Sequence, residues 1–345
     1  MGRLMTTKEQ VLGLLEANGN NYLSGQEIAD KIYVSRAAVW KAIKSLEKEG
    51  YEIDAVTNKG YRLKCDVKLM NAKTITECLK CNRGTEAASE NNWKYGQIFY
   101  EDTVESTNDW AKNYSNAHFG EPAVFVADSQ TKGKGRRGRD FFSPSGTGLY
   151  MSMLLYPDIT PEKATLFTCM MAECLCEAIR EVTEKEVKIK WVNDIYLGDK
   201  KIAGILTEGM TSMEDGKLSY MVIGVGVNIY NPYDGFPEGL DKTAGYLLEK
   251  MSDEDIRSQL CATIIRRFME YYNKPEDKSF INGYRNKSML IGKYVKLLTA
   301  DHEEKKASKG YAKVIGIDDM CHLLIEYDDG TEGALSCGEV SVVKY

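Results

Sequence analysis

The sequence predicts an α+β protein built from three parts: an N-terminal winged helix-turn-helix, a central mixed-sheet α/β domain and a small C-terminal β-barrel. Three observations carry this prediction. Residues 7–64 combine three capped helical segments with a hairpin, residues 96–229 combine strands with a long apolar helix, and the C-terminal tail contains several short strands. A chain of 345 residues also exceeds what one compact core requires. We place the domains at 1–66, 67–288 and 289–345.

The composition excludes several classes of protein. Hydrophobic residues at 43% and charged residues at 28% describe an ordinary globular protein. The formal net charge of -6 excludes a protein that coats nucleic acid with its whole surface, so any DNA contact has to be local. No apolar run approaches the roughly 20 residues of a membrane span. The nine cysteines are scattered and no signal peptide precedes them, so we expect reduced thiols in a cytoplasmic protein.

Three helical segments are predicted near the N-terminus. Residues 7–17 open with a capping threonine and carry apolar residues at helical spacing. Ser24 caps a second segment at 25–32, and Ser35 caps a third at 36–50 after a short turn. Two helices joined by so tight a turn form a helix-turn-helix.

A predicted hairpin follows these helices. Strand 51–56, a turn at 58–60 and a return strand at 61–63 form a wing. In such a module the second helix of the motif enters the major groove of DNA, with its N-terminal side chains nearest the bases. Those side chains are Ser35, Arg36, Ala37, Ala38 and Lys41. Residues 1–64 hold ten Lys or Arg against eight Asp or Glu, a local excess that favours DNA. A small helical protein-interaction domain is the alternative.

The chain changes character after residue 66, where a short helix at 71–79 precedes a polar stretch. Cys78 and Cys81 form an isolated C-x-x-C with no second pair and no nearby histidine. We interpret it as a coincidence on a helix surface, and a metal site is the alternative.

A polar turn at 102–108 separates strand 96–101 from the following helix. Ser106, Thr107 and Asn108 offer hydrogen-bond donors and acceptors where this helix starts. Taken alone, such a cluster is typical of a plain helix cap.

The basic segment at 129–139 reads Ser-Gln-Thr-Lys-Gly-Lys-Gly-Arg-Arg-Gly-Arg, with no carboxylate before Asp140. Glycine allows the backbone to approach a ligand, and the cations supply charge-assisted donors, so we expect an anion such as a phosphate as its partner. The glycines spell G-x-G-x-x-G, but the segment joins strands 123–127 and 149–155, which excludes a dinucleotide-binding turn. No Gly-Lys-Ser/Thr closes it, which excludes a P-loop. A solvated basic loop and a nucleic-acid patch are the alternatives.

Lys190 stands out further along the chain. It ends an otherwise buried strand pattern, where a charge is costly unless it is paired, and an anionic ligand would pair it. The remaining predicted elements are helices at 161–181 and 253–272, a strand, polar turn and second strand over 187–197, and strands at 200–208, 219–229, 293–298, 312–317 and 323–330.

Several features occur in a fixed order along the chain. They are the winged helix-turn-helix, Ser106-Thr107-Asn108, the basic residues 133–139, Lys190-Trp191-Val192-Asn193-Asp194, residues 201–206 and Gly224-Val225-Gly226-Val227-Asn228. Together they resemble the bifunctional biotin-protein ligase and biotin operon repressor family, over essentially the whole chain. The resemblance implies a class II synthetase-like ligase domain in the centre and an SH3-like barrel at the C-terminus.

The resemblance also implies an activity and partners. The family condenses biotin with ATP to biotinyl-5′-AMP and transfers biotin to a lysine of the biotin carboxyl carrier protein of acetyl-CoA carboxylase. Magnesium is implied, without assigned ligands. Biotin operator DNA is the second implied partner, bound by a homodimer that the ligand promotes, and no membrane is involved. A lipoate-protein ligase and a non-catalytic biotin-sensing transcription factor are the alternatives.

The resemblance assigns roles to individual residues. The implied biotin site comprises Ser106, Thr107, Asn108, Gln130, Lys134, Gly135, Arg136 and Lys190. The implied nucleotide site comprises Arg137, Arg139, Phe141, Asn193, Asp194, Gly224, Gly226 and Asn228. Lys190 and Arg136 are the implied catalytic residues. Cations are needed because a carboxylate that attacks an α-phosphate brings two anions together.

Three positions depart from the family pattern. Lys134 stands where arginine is usual, which keeps the charge and loses the bidentate fork. Phe141 stands where tryptophan is common, which reduces the area for stacking on adenine. Val192 replaces the usual proline of the motif around Lys190. None of these departures removes a catalytic charge.

Overall fold

The computed structural model describes most of the chain: residues 6–18, 22–48, 51, 53–57, 59–63, 70–81, 95–251, 255–297, 310–336, 338 and 340–342. The chain divides into two compact units, Met1–Leu69 with Ser252–Asp255, and Met70–Met251 with Ile256–Tyr345. The three-domain division given above stays a prediction.

The first unit is a helix-turn-helix followed by a hairpin. Its elements are α1 (Thr7–Ala17), α2 (Gly25–Ile32), α3 (Arg36–Lys48), β1 (Ile53–Val56) and β2 (Gly60–Leu63). β1 and β2 pair antiparallel. The apolar faces of the helices meet in one core that includes Val11, Leu15, Ile28, Val39, Ile43 and Leu46. The predicted winged helix-turn-helix is confirmed.

Side-chain hydroxyls cap the start of each of these helices. Glu27 N donates to Ser24 Oγ at 3.1 Å and Ser24 N donates to Glu27 Oε2 at 2.8 Å, which is a capping box. In α1, Glu9 N donates to Thr6 Oγ1 at 3.3 Å. The predicted cap on Thr7 is therefore wrong by one residue, because two adjacent threonines offer the same hydroxyl.

A seven-stranded mixed sheet forms the centre of the second unit. Its strands are β3 (Gln97–Val104), β4 (Ala123–Gln130), β5 (Gly148–Leu155), β6 (Lys188–Lys190), β7 (Asp194–Leu197), β8 (Lys200–Thr211) and β9 (Leu218–Asn228). The order is β3-β4-β5-β9-β8-β7-β6. β3 and β4 run parallel, and every other neighbouring pair is antiparallel. The predicted mixed sheet is confirmed.

Helices cover both faces of this sheet. They are α4 (Ala72–Cys81), α5 (Thr107–Ala117), α6 (Ala164–Thr183), α7 (Ile256–Tyr272) and α8 (Phe280–Lys287). Alternate residues of β4 show the two faces: Val124 and Val126 join the large core that contains α6 and α7, whereas Ala123 and Phe125 pack with α5. Within the described ranges, no helix is long and apolar enough to cross a membrane.

Helix α8 was not predicted from the sequence. Gly283 lies in the middle of this short helix and is ordinarily a helix breaker. A Cβ at Gly283 would lie 2.1 Å from Glu173 Oε1 of α6, so the residue is small because the two helices approach closely. Lys287 Nζ donates to the same carboxylate oxygen at 2.8 Å.

The C-terminal strands form a five-stranded antiparallel sheet: β10 (Tyr294–Leu297), β11 (Tyr311–Ile317), β12 (Leu323–Glu326), β13 (Glu332–Leu335) and β14 (Val340–Val342). Its order is β13-β12-β11-β10-β14. Among the described residues the sheet is open, because β13 and β14 are its unpaired edges. The predicted closure into a barrel is thus not seen in the part of the tail that the structure describes.

This sheet shares a core with the central domain. Val295, Val314 and Leu323 belong to the same buried cluster as α6 and α7. Trp191 Nε1 also donates to Cys321 O at 2.9 Å. The tail therefore packs directly against the strand and turn that contain Lys190.

Candidate functional site

A cavity of about 400 Å³ lies beside the central sheet. All predicted biotin and nucleotide residues except Asn228 line it, although they come from positions 106 to 226 of the chain. The structure thus brings the separate motifs together. The role of each residue stays a prediction.

The start of α5 and the end of β4 form one wall of this cavity. Ser106 caps α5 by accepting from Asp109 N at 3.4 Å. Thr107 N donates to Gln130 Oε1 at 2.9 Å, and Gln130 Nε2 donates to Ser143 Oγ at 2.9 Å. The side-chain amide of Gln130 is therefore held in one orientation between two elements.

Asn108 is buried in a hydrogen-bond network that was not predicted from the sequence. Ser152 Oγ donates to Asn108 Oδ1 at 2.7 Å, and Asn108 Nδ2 donates to Glu208 Oε2 at 2.7 Å. Lys112 Nζ lies 3.0 Å from Glu208 Oε1. A Cβ at Gly224 would lie 2.1 Å from Asn108 Oδ1, so this glycine makes room for the amide. Lys112 lies one helical turn after Asn108, so the two side chains share one face of α5. This spacing is the sequence signal that could have indicated that both contact the same partner.

The basic segment has carboxylate partners within the protein. Lys132 Nζ lies 2.9 Å from Glu105 Oε1, and Lys134 Nζ lies 2.6 Å from Asp109 Oδ2. Burial alone would raise the pKa of Asp109, but Lys134 and Lys112 lower it overall. The expectation that only a ligand anion offsets these charges is therefore wrong for Lys132 and Lys134. Glu105 lies in the turn after β3 and Asp109 in the first turn of α5, so both carboxylates are distant in sequence from the lysines they pair with.

Arg136 connects three parts of the unit. Its Nη1 donates to Asn193 Oδ1 at 3.0 Å, and its Nη2 donates to Gly338 O of the C-terminal tail at 3.2 Å. Asn193 is itself fixed, because its Nδ2 donates to Ile205 O at 2.8 Å. Arg136 also lines a neighbouring cavity of about 160 Å³. The side chain thus forms part of the wall between two cavities.

Lys190 supplies a cation to the cavity. It is half-buried at the end of β6, and its Nζ lies 5.9 Å from the centroid of the Tyr196 ring. Among the residues that the structure describes, no carboxylate forms an ion pair with it, whereas Asp194 pairs with Lys201 at 2.6 Å. Lys190 is therefore suited to bind an anionic ligand.

The Phe141 ring packs against the backbone of two glycines, Gly204 and Gly226. A Cβ at Gly226 would lie 2.5 Å from Phe141 Cε1, and one at Gly204 would lie 3.6 Å from Phe141 Cε2. The Tyr150 ring meets Phe141 edge-on, with centroids 6.4 Å apart. Gly226 therefore makes room for an aromatic ring in the cavity wall.

Asn228 lies outside the cavity lining. Its Nδ2 donates to Gly245 O at 3.0 Å, which anchors the segment after β9. Lys201 N donates to Thr243 O of the same segment at 2.8 Å. Thr243 and Leu240 then line the cavity. Asn228 thus holds the segment that supplies Leu240 and Thr243 to the cavity lining, and its own contact with the nucleotide stays a prediction.

The lining residues absent from the predicted set are Asp140, Trp191, Tyr196, Lys201, Gly204, Ile205, Leu206, Val225, Leu240, Thr243 and Val340. Lys201 lies in the motif at residues 201–206, so its positive charge could have indicated a position at the cavity. Leu240, Thr243 and Val340 lie in segments without a recognisable pattern.

The predicted DNA-binding residues lie at the start of α3 in the first unit. Ser35, Arg36, Ala37 and Lys41 are exposed, whereas Ala38 is half-buried. Ser35 Oγ accepts from Ala38 N at 3.2 Å and so caps the helix.

The described residues contain no group of three or more His, Cys, Asp or Glu side chains that could hold a metal ion. Six of the nine cysteines are seen as free thiols, at positions 78, 169, 174, 176, 261 and 321.

The fold and the cavity define a class of protein. Residues 100–228 match the biotin/lipoate A/B protein ligase family, and residues 7–62 match a helix-turn-helix domain. The solved structure of the biotin protein ligase from Aquifex aeolicus with biotin and ATP is 27% identical, with a TM-score of 0.57. That likeness covers 72% of this chain and 99% of the other.

Full-length relatives extend the match to both units. The bifunctional ligase/repressor BirA of Bacillus subtilis is 32% identical over 94% of this chain and 95% of its own length. The protein of the same name from Escherichia coli is 29% identical over 98% of this chain and 97% of its own length. The chain belongs to the family of bifunctional biotin ligase/repressor proteins.

Proposed function

We propose that this protein forms biotinyl-5′-AMP from biotin and ATP and transfers biotin to a lysine of the biotin carboxyl carrier protein. One observation carries the proposal: Lys190 places an ammonium without a described carboxylate partner in the cavity that the predicted biotin residues line. The basic segment adds Arg136 on the same cavity.

The first step joins two anions. A carboxylate oxygen of biotin attacks the α-phosphorus of ATP, the bond to the β-phosphate oxygen breaks, and pyrophosphate leaves. The ammonium of Lys190 lowers the repulsion between carboxylate and phosphate, and it lies at the cavity before either substrate arrives. Lys201 is less suited to this role, because Asp194 neutralises it at 2.6 Å.

The second step transfers the acyl group. The neutral amine of the carrier lysine attacks the biotinyl carbonyl carbon, and the bond to the phosphate oxygen breaks. AMP leaves with the electron pair, and its phosphate takes the amine proton. Arg136 closes one side of the cavity through Asn193 and Gly338, so it would retain the adenylate until the carrier arrives.

Incubation with ATP, radiolabelled biotin and an apo carrier domain tests this proposal. We expect label on the carrier that depends on ATP. Absence of label, with a folded enzyme and a carrier that another biotin ligase accepts, would contradict it.

Lipoate-protein ligase is the second candidate, because the matching family model includes lipoate as well as biotin ligases. Replacement of biotin by lipoate in the same assay, with an apo lipoyl domain as acceptor, distinguishes the two. We expect no transfer of lipoate. A non-catalytic biotin sensor is disfavoured because Lys190 and Arg136 are both present in the cavity.

The first unit supports a second role as a biotin-responsive repressor of biotin operator DNA. We infer that adenylate binding promotes a homodimer through the central sheet, so that two winged helices meet two half-sites. A coupling of about 1 to 3 kcal/mol is typical of such linkage. Sedimentation and DNA titrations with and without adenylate test it, and constants that do not change would contradict it.

Magnesium is implied by the family, but the described residues offer no dedicated metal cage. Asp140 and Asp194 are the carboxylates among the cavity residues, and Asp194 is already paired with Lys201. A magnesium ion that arrives with the ATP phosphates commonly keeps most of its waters. No step above depends on it.

Three further properties belong to the same proposal. The central domain would be class II synthetase-like, the C-terminal sheet would close as an SH3-like barrel, and the protein would act in the cytoplasm. The free thiols at the described cysteines are compatible with a reducing compartment.

A further inference from the structure

Trp40 is exposed on α3, the helix whose first turn contains predicted DNA-binding residues. It is 53% accessible in the full chain, although large apolar side chains are generally buried. The first unit does not need this ring for its own packing, because the buried face of α3 consists of Val39, Ala42, Ile43 and Leu46. The indole therefore lies outside the core of the unit.

The exposed face of α3 is otherwise cationic. Arg36, Trp40 and Lys44 follow one another at intervals of four residues, and Lys41 lies beside Trp40. All four side chains are exposed. The Lys44 ammonium pairs with Glu47 at 2.5 Å, whereas Arg36 and Lys41 make no ion pair with a described residue. An aromatic ring with cations on both sides matches an anionic partner that also offers an apolar group.

DNA is such a partner. Its phosphates attract the cations, and its major groove has one prominent apolar group, the C5-methyl of thymine. Trp40 is the fifth residue of α3, counted from Arg36, so it lies within the N-terminal half that reads bases in this class of module. A second copy of the chain fits less well, because two faces of the same positive charge would repel.

We propose that Trp40 determines specificity by packing its indole on a thymine methyl in each half-site of the DNA. This inference deepens the proposed repressor role and rests on it. Trp40 is not among the residues predicted from the sequence to contact DNA, although it lies between them: these are Ser35 to Ala38 and Lys41.

The experiment begins with a selection. The full-length protein, with biotin and ATP present, is used to select duplexes from a pool of random sequence. Each thymine of the enriched sequence is then replaced by uracil, which removes only the methyl group. Binding of wild type and of Trp40→Ala to each duplex is measured by titration at one fixed salt concentration.

We expect at least one thymine per half-site at which uracil weakens wild-type binding about fourfold, the factor that burial of one methyl at about 0.8 kcal/mol implies. Trp40→Ala should bind the thymine and uracil duplexes equally. Trp40→Phe keeps an apolar ring and should keep part of the difference.

Two control variants distinguish recognition of the thymine methyl from a contribution to DNA binding that does not depend on sequence. Lys44→Ala should weaken binding to all sequences alike and keep the thymine preference, as expected for a phosphate contact. Met213→Ala removes a fully exposed side chain of the second unit and should change nothing. Alanine is a better helix former than tryptophan, so Trp40→Ala should retain α3, and circular dichroism checks this.

The outcomes distinguish two failures. If wild type enriches no sequence, the proposed DNA binding fails and this inference falls with it. If wild type enriches a sequence but uracil has no effect at any thymine, or if Trp40→Ala discriminates as wild type does, only the role of Trp40 is overturned. A loss of dimerisation in Trp40→Ala, with the thymine preference unchanged, would assign the ring to a protein contact instead.

Discussion

Arg136 Nη1 donates a hydrogen bond to Asn193 Oδ1 at 3.0 Å, and this contact joins the basic segment to the turn that follows Lys190. The same guanidinium reaches Gly338 O at 3.2 Å. One side chain at the cavity wall therefore links the turn after β6 to the C-terminal tail.

Replacement of Arg136 by glycine should release the adenylate. Arg136→Gly removes a side chain that lines both the main cavity and its smaller neighbour, so the reactive adenylate can leave. We expect labelling of lysines on bystander proteins, measured by streptavidin blot. Lys132→Ala is the matched control, because Lys132 belongs to the same segment but pairs with Glu105 outside the cavity lining. Strictly selective labelling by Arg136→Gly would contradict the assigned role.

Lys190→Met should fold and lose adenylate formation. Loss of one preorganised charge that stabilises a transition state costs about 10²- to 10³-fold in kcat. Biotin-dependent exchange of pyrophosphate into ATP measures this step alone. Lys188→Met is the control, since Lys188 is exposed on the same strand. Exchange at the wild-type rate in Lys190→Met would show that the lysine is merely structural.

Loss of the Glu208 carboxylate should weaken biotin binding through Asn108. Glu208→Ala leaves the buried Nδ2 of Asn108 without its 2.7 Å acceptor, which costs about 1–3 kcal/mol. We expect KM for biotin to rise about tenfold, the factor that 1.4 kcal/mol implies. Glu208→Gln keeps an acceptor oxygen and should recover most of the affinity. Equal KM values in Glu208→Ala and wild type would contradict a positioning role.

Glu177 should make stability depend on pH in the acid range. Burial raises the pKa of Glu177, but Arg180 and Lys287 outweigh it and lower the pKa to about 2. Because the pKa is lowered in the folded state, the ionised Glu177 stabilises the protein at pH values above the ordinary pKa of 4.5. This stabilisation is lost progressively as the pH falls towards 2. Glu177→Gln should therefore be less stable than wild type at pH 7, and the difference should shrink steadily as the pH falls from about 5 to 2.

Urea unfolding at several pH values measures that difference. Glu214→Gln, at an exposed turn, is the control and should match wild type throughout. A stability difference for Glu177→Gln that stays constant between pH 5 and pH 2.5 would contradict the prediction.

Local patterns predicted most of the fold and much of the cavity. Ser24, with Glu27 three residues later, specifies a capping box within one turn of helix, so the helix start is readable from the sequence. The basic segment was likewise predicted to join two strands, and it does. Lys190 was found because a charge at the end of a buried strand conflicts with its surroundings.

The parts that were missed depend on contacts distant in sequence. Glu208 meets Asn108 only because β8 lies next to β9 beneath α5, an arrangement that no local pattern specifies. Gly338 reaches Arg136 across 202 positions. α8 was not predicted, and the reason for its central Gly283, the close approach of Glu173, lies on another helix. The hydrogen bond of Asn228 Nδ2 to Gly245 O was also not predicted, because Gly245 lies in a segment without a pattern.

A single-turnover experiment tests the central claim most directly. The protein is mixed with biotin and α-³²P-ATP, the complex is separated from free nucleotide, and apo carrier is then added. We predict labelled biotinyl-5′-AMP that stays bound to the protein, followed by release of labelled AMP in the same amount as the biotin that appears on the carrier. A folded wild-type protein that forms no labelled adenylate, or whose bound adenylate is not consumed by the carrier, would contradict the account.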